Sequence, residues 1–354
     1  MTQGLRTWGW DENWASSLEQ FDVDAEPARV TLQHRDRWEI QTEHGPRTAR
    51  LPTADPSGLI PVTGDWVACT PGPSETDPWS ILGLLPRRSV IRRGAAGESR
   101  SAQVLAANID RLWIVQALDT PPNLRSLERY LAVGWESGAT PDIVLTKSDL
   151  AQDLDDAVQR VRGIAFGVSL WVTSVADPSS FEALRASLDA GATVALLGPS
   201  GAGKSTLVNR LADADLTRTG EVRTGDRKGR HTTTGRELFQ IHNGALLLDT
   251  PGMRELKVLA LDEGLDQAFP DIEELAAQCR FRDCSHVSEP GCAVLMGVRE
   301  GRLAEDRLLS YRKLEAEAAY ERRRVDPRAR AAQVSDHKTS MKTLKYHPKH
   351  QRRD

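Results

Sequence analysis

Residues 198–205 read GPSGAGKS and fit the pattern G-x-x-x-x-G-K-[ST], which constrains the fold more than any other stretch of the chain. The apolar residues 194–197 predict a strand before them, and residues 206–211 predict the start of a helix after them. Glycines here let several backbone N–H groups converge on phosphate at a helix N-terminus, which favours anions. A glycine-rich turn that matched by chance would lack this strand and helix. The residues predicted to line the phosphate loop are Gly198, Pro199, Ser200, Gly201, Ala202, Gly203, Lys204, Ser205 and Thr206.

The phosphate loop predicts a nucleotide site that uses Mg²⁺. We expect Lys204 to reach the β- and γ-phosphates and the Ser205 hydroxyl to ligate Mg²⁺. Asp249 lies 45 residues after Lys204, at the end of another apolar run, and is expected to hold the Mg²⁺ shell. The N–H group of Gly252 can then sense the γ-phosphate. Between the two motifs, the polar residues 217–235 have the length of a switch loop.

Residues 146–149 read TKSD and follow the apolar residues 143–145, which predict a strand; residues 149–162 predict a polar helix after it. The motif resembles the Asn-Lys-x-Asp element of GTPases, whose aspartate accepts both guanine N–H donors that adenine lacks. A threonine replaces the usual Asn, and its hydroxyl can bridge to the phosphate loop over a shorter reach, so the strength of guanine selection stays open. A plain turn at a strand end is the alternative. The predicted base-binding residues are Thr146, Lys147, Ser148 and Asp149, with residues 173–176 as a weaker candidate for the loop behind the base.

The order of these motifs is unusual. In ordinary GTPases the base motif follows the phosphate motifs, whereas here residues 146–149 precede residues 198–205. A parallel α/β sheet with nearby termini tolerates such a circular permutation. The chain after Gly252 then leads directly into the C-terminal region, so we expect nucleotide state to move that region.

The rest of the chain divides into regions of different pattern. Residues 1–95 contain short strand candidates broken by Gly and Pro turns, which predicts an OB-like β-barrel, although periodicity alone also fits other small barrels. Residues 96–258 alternate apolar runs with helical segments, which predicts a parallel sheet covered on both faces and a hairpin at residues 237–248. Residues 259–325 predict a mostly helical domain, and its last helix is expected at residues 302–324. The predicted buried stripe of that helix is Leu308, Tyr311, Leu314 and Ala318.

Three of the four cysteines lie within fourteen residues, with a histidine among them. In a long chain this clustering points to metal before disulfides. Four nitrogen and sulfur ligands with no open position predict one tetrahedral, structural Zn²⁺ per chain rather than a catalytic metal. The predicted ligands are Cys279, Cys284, His286 and Cys292, whereas the remote Cys69 is expected to be a small buried apolar residue.

Charge is distributed unevenly along the chain. The whole sequence has a net charge of -4, but residues 321–354 contain eleven Lys or Arg against four acids, a net charge of +7. The basic tail at residues 326–354 suits a phosphate-rich partner. The alternative is a disordered, solvated end.

The N-terminal residues and the apolar runs indicate where the protein works. No run approaches the ~20 apolar residues of a membrane span, and the N-terminus lacks the layout of a signal peptide. We therefore expect a cytoplasmic protein with no membrane partner. Trp8, Trp10 and Trp14 suit either packing in the barrel or stacking on RNA bases, and we favour packing.

Taken together, the motifs resemble those of the ribosome small subunit-dependent GTPases of the RsgA/YjeQ type over nearly the whole chain. The resemblance rests on the permuted motif order, the Cys/His spacing, GRHTTT at residues 229–234, FPD at 269–271 and EPG at 289–291. It implies an N-terminal OB-fold barrel, a circularly permuted P-loop α/β GTPase domain and a mostly helical zinc-binding domain. It also implies that these domains contact the small ribosomal subunit and its ribosomal RNA during late maturation, and that this contact stimulates a slow hydrolysis of GTP to GDP and phosphate. We expect a monomer.

The catalytic residues are the least constrained part of the site. Met253 stands where many GTPases have a glutamine that orients water, and a thioether cannot do so. His231 matches the family position proposed to replace that glutamine, and a solvated loop histidine is the alternative. Thr233 is a switch threonine that can close over Mg²⁺. With Lys204 these are the candidate catalytic residues, and they predict slow turnover until a partner arranges the site.

Two other functions fit parts of the sequence. A metal-delivery GTPase would use the cysteine cluster to carry metal, but a closed set of three Cys and one His lacks the exchangeable ligands that cargo needs. A non-catalytic RNA-binding assembly factor would have a vestigial phosphate loop, but Lys204, Ser205 and Asp249 are intact.

Overall fold

The computed structural model describes residues 3–21, 24–52, 60–93, 103–212, 237–241, 243–249 and 263–325. Several predicted features lie outside these residues: the switch loop with His231 and Thr233, the Gly252 and Met253 positions, and the basic tail. Of Asp249 only the backbone is described.

The first region is a closed barrel of five strands, as the sequence predicts. The strands follow the order β1-β2-β3-β5-β4, and pairing between β4 and β1 closes the ring. Strand β2 alternates buried and exposed side chains because only one of its faces lines the barrel core. Ile40, Val67 and Ile81 fill that core. The strands are β1 (Glu26–Gln33), β2 (Trp38–Thr42), β3 (Gly45–Arg50), β4 (Trp66–Thr70) and β5 (Trp79–Leu84).

Two short N-terminal helices pack on the outer wall of the barrel. The rings of Trp10 and Trp14 lie 4.8 and 6.3 Å from the ring of Trp66 in β4. Trp66 belongs to the face of β4 opposite Val67, because successive side chains of a strand point to opposite faces. Trp10 and Trp14 therefore serve packing, as expected, but they do not plug the barrel. The helices are α1 (Gln3–Arg6) and α2 (Glu12–Leu18).

The second region contains the predicted parallel sheet. Within the described residues its strand order is β10-β9-β8-β11-β13, and β12 joins antiparallel beside β13 as the expected hairpin. Strand β11 is buried along its whole length, which is typical of a parallel sheet covered on both faces. The strands of this sheet and its hairpin are β8 (Arg111–Ala117), β9 (Thr140–Thr146), β10 (Ser169–Val172), β11 (Thr193–Leu197), β12 (Glu237–Gln240) and β13 (Leu246–Asp249). Strands β6 (Val90–Arg93) and β7 (Gln103–Ala107) pair with each other in a separate antiparallel sheet of two strands. The helices are α3 (Leu124–Glu136), α4 (Leu154–Arg162), α5 (Ser179–Ala186) and α6 (Lys204–Ala212).

Helix α4 begins later than the sequence pattern predicts. Lys147 has a left-handed backbone, and residues Ser148–Leu150 form one 3₁₀ turn instead of continuing into the helix. The side chain of Asp153 accepts a hydrogen bond from the N–H of Asp156 at 2.9 Å and so caps α4. The polar residues after the base motif therefore form a loop that presents the motif, not the first turn of a helix.

Strand β1 joins the barrel to the parallel sheet. The first half of β1 pairs with β4, and Leu32 in the second half pairs with Glu237 of β12. A bulge between Val30 and Leu32 separates the two halves. Because a bulge bends the strand that contains it, β1 leaves the barrel and continues along the edge of the sheet. The two regions form one sheet of 11 strands among the described residues.

The C-terminal helices pack on α3 and share an apolar cluster with α4. One buried apolar cluster contains Leu131 of α3, Val161 of α4, and Phe269 and Leu314 from the C-terminal helices. The predicted stripe of the last helix is buried, and this helix begins at Glu305. Residues of α3 and of the C-terminal helices thus belong to one apolar cluster, while the border predicted at residue 259 lies outside the described residues and stays a prediction. The helices are α7 (Glu263–Ala268), α8 (Pro270–Ala276), α9 (Ala293–Arg299) and α10 (Glu305–Val325).

Among the described helices, none combines the length and the apolar character needed to cross a bilayer.

Candidate nucleotide and metal sites

The phosphate loop connects β11 to α6. Gly198 lies so close to β8 that a Cβ atom on it would be 2.3 Å from the carbonyl oxygen of Val115. Gly203 has a φ of 89°, which side chains other than glycine rarely adopt. The Lys204 ammonium donates to the carbonyl oxygens of Gly198 and Pro199, both at 2.7 Å. Its charge therefore lies at the loop in which phosphate is expected to bind.

Other predicted phosphate-site residues lie at the same edge of the sheet. Ser205 and Thr206 occupy the first turn of α6, where the positive end of the helix dipole favours anions. The parallel pair Ala195↔Leu248 puts the backbone of Asp249 beside the end of β11. In open α/β sheets, ligands bind outside the carboxyl ends of the strands. The fold thus brings together two motifs that are 45 residues apart in the chain.

The base motif contacts the phosphate loop directly. The Thr146 hydroxyl donates a buried hydrogen bond of 2.6 Å to the carbonyl oxygen of Ala202. A Cβ atom on Gly203 would lie 3.3 Å from the same hydroxyl oxygen, so the two loops are closely packed. The shorter threonine therefore makes a bridge to the phosphate loop in place of an asparagine.

Two neighbouring loops hold the rest of the base motif. The Lys147 ammonium lies 2.5 Å from a carboxylate oxygen of Asp119, which follows β8. The Ser174 hydroxyl donates to Oδ1 of Asp149, so residues 173–176 lie against the motif. The sequence suggested this second loop only weakly. It gave no signal for Asp119, because a lone aspartate after a strand is common in turns.

The arrangement has a cation at one end and a carboxylate at the other. The hydrogen bond from Thr146 to Ala202 joins the base motif to the phosphate loop. Lys204 belongs to the phosphate loop, and Asp149 belongs to the base motif. A cation and backbone N–H groups bind phosphates, and a carboxylate accepts two N–H donors from one base edge. These chemical features suit a guanine nucleotide that spans both loops.

The cysteine cluster has the geometry of a metal centre. The Sγ atoms of Cys279 and Cys292 are 3.9 Å apart, and they lie 3.6 and 3.5 Å from Nδ1 of His286. The ligand atoms of all four residues, Cys284 included, lie within 4.8 Å of one another. Metal bonds of about 2.3 Å to sulfur and about 2.0–2.1 Å to nitrogen, in a tetrahedron, give separations of about 3.8 and 3.6 Å. The spacing and the donor types therefore fit a four-coordinate metal ion.

The start of α9 helps to prepare two of these ligands. Cys292 caps α9, and its Sγ accepts from the N–H of Leu295 at 3.4 Å. Burial raises the pKa of the Cys279 thiol, but backbone N–H groups at the start of α9 bring it below its ordinary value and so favour the thiolate. Burial lowers the pKa of His286, which keeps the imidazole neutral and able to ligate a metal.

Glu289 folds the loop that carries the histidine. Its carboxylate accepts from the N–H groups of Ser285 and Val287 at 2.9 Å and of Ser288 at 3.0 Å. The Ser285 hydroxyl also donates to it, and together these donors hold the pKa of Glu289 well below its usual range. His286 has a left-handed backbone with a φ of 56°, which this loop maintains. The sequence marked residues 289–291 as part of the family resemblance, but it did not predict that Glu289 would hold this loop.

Comparison with known proteins gives the family. A family model described as RsgA GTPase matches residues 84–259. The chain is 43% identical over 299 residues to the small ribosomal subunit biogenesis GTPase RsgA 2 of Lactiplantibacillus plantarum, with 83% of each chain covered. It is 41% identical over 334 residues to the small ribosomal subunit biogenesis GTPase RsgA of Streptomyces coelicolor, covering 92% of this chain and 90% of the relative.

Solved structures have the same architecture. The crystal structure of YjeQ from Thermotoga maritima matches with a TM-score of 0.62 and 26% identity, over 83% of this chain and 98% of that one. YloQ, described as a circularly permuted GTPase, matches with a TM-score of 0.61 over 84% of this chain and 96% of its own. At 22% identity the second likeness concerns the fold alone.

Proposed function

This chain belongs to the RsgA GTPase family, and we propose that it hydrolyses GTP to GDP and phosphate in the late maturation of the small ribosomal subunit. Its relatives at 41–43% identity are named for small ribosomal subunit biogenesis, and they align with most of the chain. The reaction breaks an acid anhydride bond between phosphates.

The observation that carries the proposal is the hydrogen bond from Thr146 to Ala202. It joins a candidate guanine motif to a candidate phosphate loop, although the chain contains the two in the permuted order. A single nucleotide can therefore contact both loops. This contact supports a functional nucleotide site more strongly than either motif alone.

Guanine recognition is assigned to the base motif. Asp149 accepts the two N–H donors on the guanine edge, and the Ser174 hydroxyl orients its carboxylate. The stem of Lys147 lies along the base, and Ser148 belongs to the same loop. Because adenine lacks this pair of donors, GTP is preferred over ATP.

Phosphate binding is assigned to the phosphate loop. Lys204, whose ammonium lies at its own loop, is the cation for the β- and γ-phosphates. Ser205 and Asp249 would hold Mg²⁺, which when bound would supply positive charge near the phosphates. Gly252 contacts the γ-phosphate through its N–H.

Hydrolysis is assigned to the switch loop together with the subunit. His231 would orient the attacking water, and Thr233 would help to hold Mg²⁺. Met253 offers no group that can position water, so turnover by the protein alone is slow. The small subunit and its ribosomal RNA arrange this loop and accelerate the reaction.

The remaining regions are assigned to subunit contact. The barrel at residues 1–95, the zinc domain at 259–325 and the basic tail at 326–354 contact ribosomal RNA, while residues 96–258 bind nucleotide. One Zn²⁺ per chain is structural, because its four proposed ligands leave no position open for a substrate. The protein acts as a monomer in the cytoplasm, where small subunits mature.

Two alternatives predict different behaviour. A metal-delivery GTPase needs ligands that exchange readily, whereas His286 and Cys292 are 7% and 5% exposed. A non-catalytic assembly factor would bind RNA and not turn over GTP, and the intact Lys204 and Ser205 argue against it.

Co-sedimentation with purified ribosomal subunits tests the partner. The full chain is incubated with small or large subunits, in the presence of GDP or a non-hydrolysable GTP analogue. We expect binding to small subunits only, dependent on the nucleotide and weakened as salt rises, because phosphate contacts release counterions. Equal binding to both subunits, or none, would contradict the proposed partner.

A further inference from the structure

Asp119 belongs to none of the recognised motifs, yet it lies beside the base motif. Its Oδ2 atom is 2.5 Å from Nζ of Lys147, and the two side chains are 39% and 33% exposed. We propose that Asp119 is a positioning residue for guanine nucleotides, which holds the Lys147 side chain in place to form one wall of the base site. The proposal rests on the proposed function, because it assumes that guanine binds at this motif.

The backbone of Lys147 is held in place by contacts on both sides. It has a φ of 55° and a ψ of 39°, a left-handed conformation that non-glycine residues rarely adopt. On one side the Thr146 hydroxyl is bonded to Ala202. On the other side the N–H of Ser148 donates to the carbonyl oxygen of Thr173 at 3.3 Å. The lysine side chain therefore starts from a fixed point on the protein.

The backbone of Asp119 is fixed as well. The N–H of Leu118 donates to the carbonyl oxygen of Thr146 at 2.9 Å, which ties the end of β8 to the base motif. Pro121 and Pro122 follow Asp119 and restrict the chain. Asn123 then caps α3 by accepting from the N–H of Ser126 at 3.1 Å. The carboxylate is thus presented from a segment held at both ends.

Because of these restraints, the partly exposed ion pair between Asp119 and Lys147 can contribute to nucleotide affinity, which exposed ion pairs often do not. Surface pairs contribute little because two flexible side chains must be ordered to form them. Here both backbones are already ordered, and holding Nζ of Lys147 also orders its four methylene groups. A nucleotide that binds against this stem loses less side-chain entropy than it would against a free lysine. The smaller entropy loss affects binding of the guanine base, which GTP and GDP have in common, so the affinities for both nucleotides should increase equally.

The surroundings of Asp119 offer a matched control. Asp119 and Asp156 both line a cavity of about 100 Å³ between the end of β8 and α4. Asp156 pairs with Arg160 of its own helix at 3.8 Å and not with the base motif. A change in local charge alone would affect nucleotide binding from either position, whereas a positioning role belongs to Asp119 only.

The test compares Asp119→Asn with Asp156→Asn in the full-length, metal-loaded protein. Affinities for GDP and for a non-hydrolysable GTP analogue are measured by calorimetry, together with KM and kcat for GTP. We expect Asp119→Asn to raise both dissociation constants and KM by about two- to fivefold, with kcat unchanged. Asp156→Asn should match the wild type, and both variants should keep the wild-type melting temperature and metal content.

A double-mutant cycle shows whether Asp119 acts through Lys147. Lys147→Met keeps the length of the stem and removes the ammonium. We expect Asp119→Asn to have no further effect in the Lys147→Met background, because the interaction is already absent. Asp119→Glu should restore part of the affinity, and the difference between Asp119→Asn and wild type should shrink at 1 M salt, where the Debye length is about 3 Å.

Several results would overturn the proposal. These are wild-type affinity in Asp119→Asn, equal losses in Asp156→Asn, and full additivity with Lys147→Met. If the wild-type protein itself bound no guanine nucleotide, the proposed function would fail together with this inference. Normal wild-type binding with no effect of Asp119→Asn would remove the positioning role alone.

Discussion

The barrel and the C-terminal helices both pack on the GTPase region, but only the barrel has a core of its own. Ile40 and Ile81 lie in an apolar cluster made of barrel residues. Phe269 and Leu314 of the C-terminal helices instead share one cluster with Leu131 of α3. The barrel therefore packs on the GTPase region as a unit with a separate core, whereas the C-terminal helices form part of the apolar core of the GTPase region.

A buried arginine lies at the barrel junction, and its partners are all uncharged. Arg29 of β1 is 2% exposed and donates to the carbonyl oxygens of Trp8 and Asn108 and to the Thr193 hydroxyl, at 2.8–3.0 Å. Burial lowers the pKa of Arg29 to about 10. The guanidinium links three segments and is hydrogen-bonded to no carboxylate, so the charges of Asp110 and Asp65 nearby offset only part of the loss of its hydration.

The arginine at the C-terminal junction has two carboxylate partners. Arg307 of α10 is 7% exposed and donates to Asp271 at 2.5 and 2.7 Å and to Glu128 of α3 at 2.8 Å. Its guanidinium also lies 4.5 Å from the centre of the Phe269 ring. This network ties α10 to α3 and to α8 at the centre of the shared core.

The close packing of the C-terminal helices on α3 affects the expectation that nucleotide state moves the C-terminal region. If nucleotide state moves the C-terminal helices, the motion has to carry α3 along or break the contacts of Arg307. Helix α3 begins shortly after Asp119, which contacts the base motif. The C-terminal region is thus connected to the nucleotide site through α3 as well as through the chain that follows Gly252.

Metal removal is the strongest test of the shared core. Structural zinc contributes about 10–16 kcal/mol of apparent binding free energy in zinc-finger peptides. We expect chelation to reduce hydrogen-exchange protection in α3 together with α8–α10, because they share one apolar cluster. The barrel strands serve as the internal control and should keep their protection. Loss of protection in α8–α10 with an unchanged α3 would show that the cores are separate.

Arg307→Met should have the next largest effect. It leaves Glu128, whose side chain is 4% exposed, without its cation. Removing one partner of a buried ion pair costs about 3–5 kcal/mol of unfolding free energy, measured by chemical denaturation. Arg125→Met is the control, because its pair with Asp306 is 58% and 85% exposed and should contribute less than about 1 kcal/mol. Equal effects of the two variants would refute a central role for the Arg307 network.

Gly264→Ala tests the close approach of α7 to α3. A Cβ atom on Gly264 would lie 2.2 Å from the carbonyl oxygen of Ala132 and 2.6 Å from the nitrogen of Glu136. The two helices have to separate, and overpacking of this kind costs about 1–3 kcal/mol. Gly163→Ala is the matched control, since its nearest contact would be an ordinary 3.4 Å. If denaturation midpoints of the two variants agree, the helices are not tightly packed.

Arg29→Met should have the smallest effect. It removes three hydrogen bonds, but it also removes a buried cation that lacks a carboxylate partner. The two changes offset each other, so we expect a loss of about 1 kcal/mol. The exposed Arg35 of the barrel is the control, and Arg35→Met should leave stability unchanged. A loss as large as that of Arg307→Met would mean that the two junctions are equally integrated.

Much of the fold could be predicted because its signals are local. The apolar runs, the turns of the barrel and the glycine pattern of the phosphate loop each lie within a short stretch, and the family resemblance was confirmed by the relatives. The cysteine spacing likewise predicted a cluster, which the structure brings within 4.8 Å.

The contacts that the sequence did not reveal join distant residues of ordinary type. Asp119 is 28 positions from Lys147, and Arg307 is 179 positions from Glu128. A charged residue has many possible partners at such separations, and only the packed fold selects one. For the same reason, the shared core of α3 and the C-terminal helices could not be read from a change of pattern near residue 259.

The most direct test of the central claim is the rate of GTP hydrolysis by the purified full chain, with and without purified small ribosomal subunits at matched salt. We predict slow turnover alone and strong stimulation by the subunit, and neither should remain in Lys204→Ala, which lacks the ammonium at the phosphate loop. Unchanged turnover in the presence of subunits, with GTP binding intact, would contradict a GTPase that acts on the small subunit.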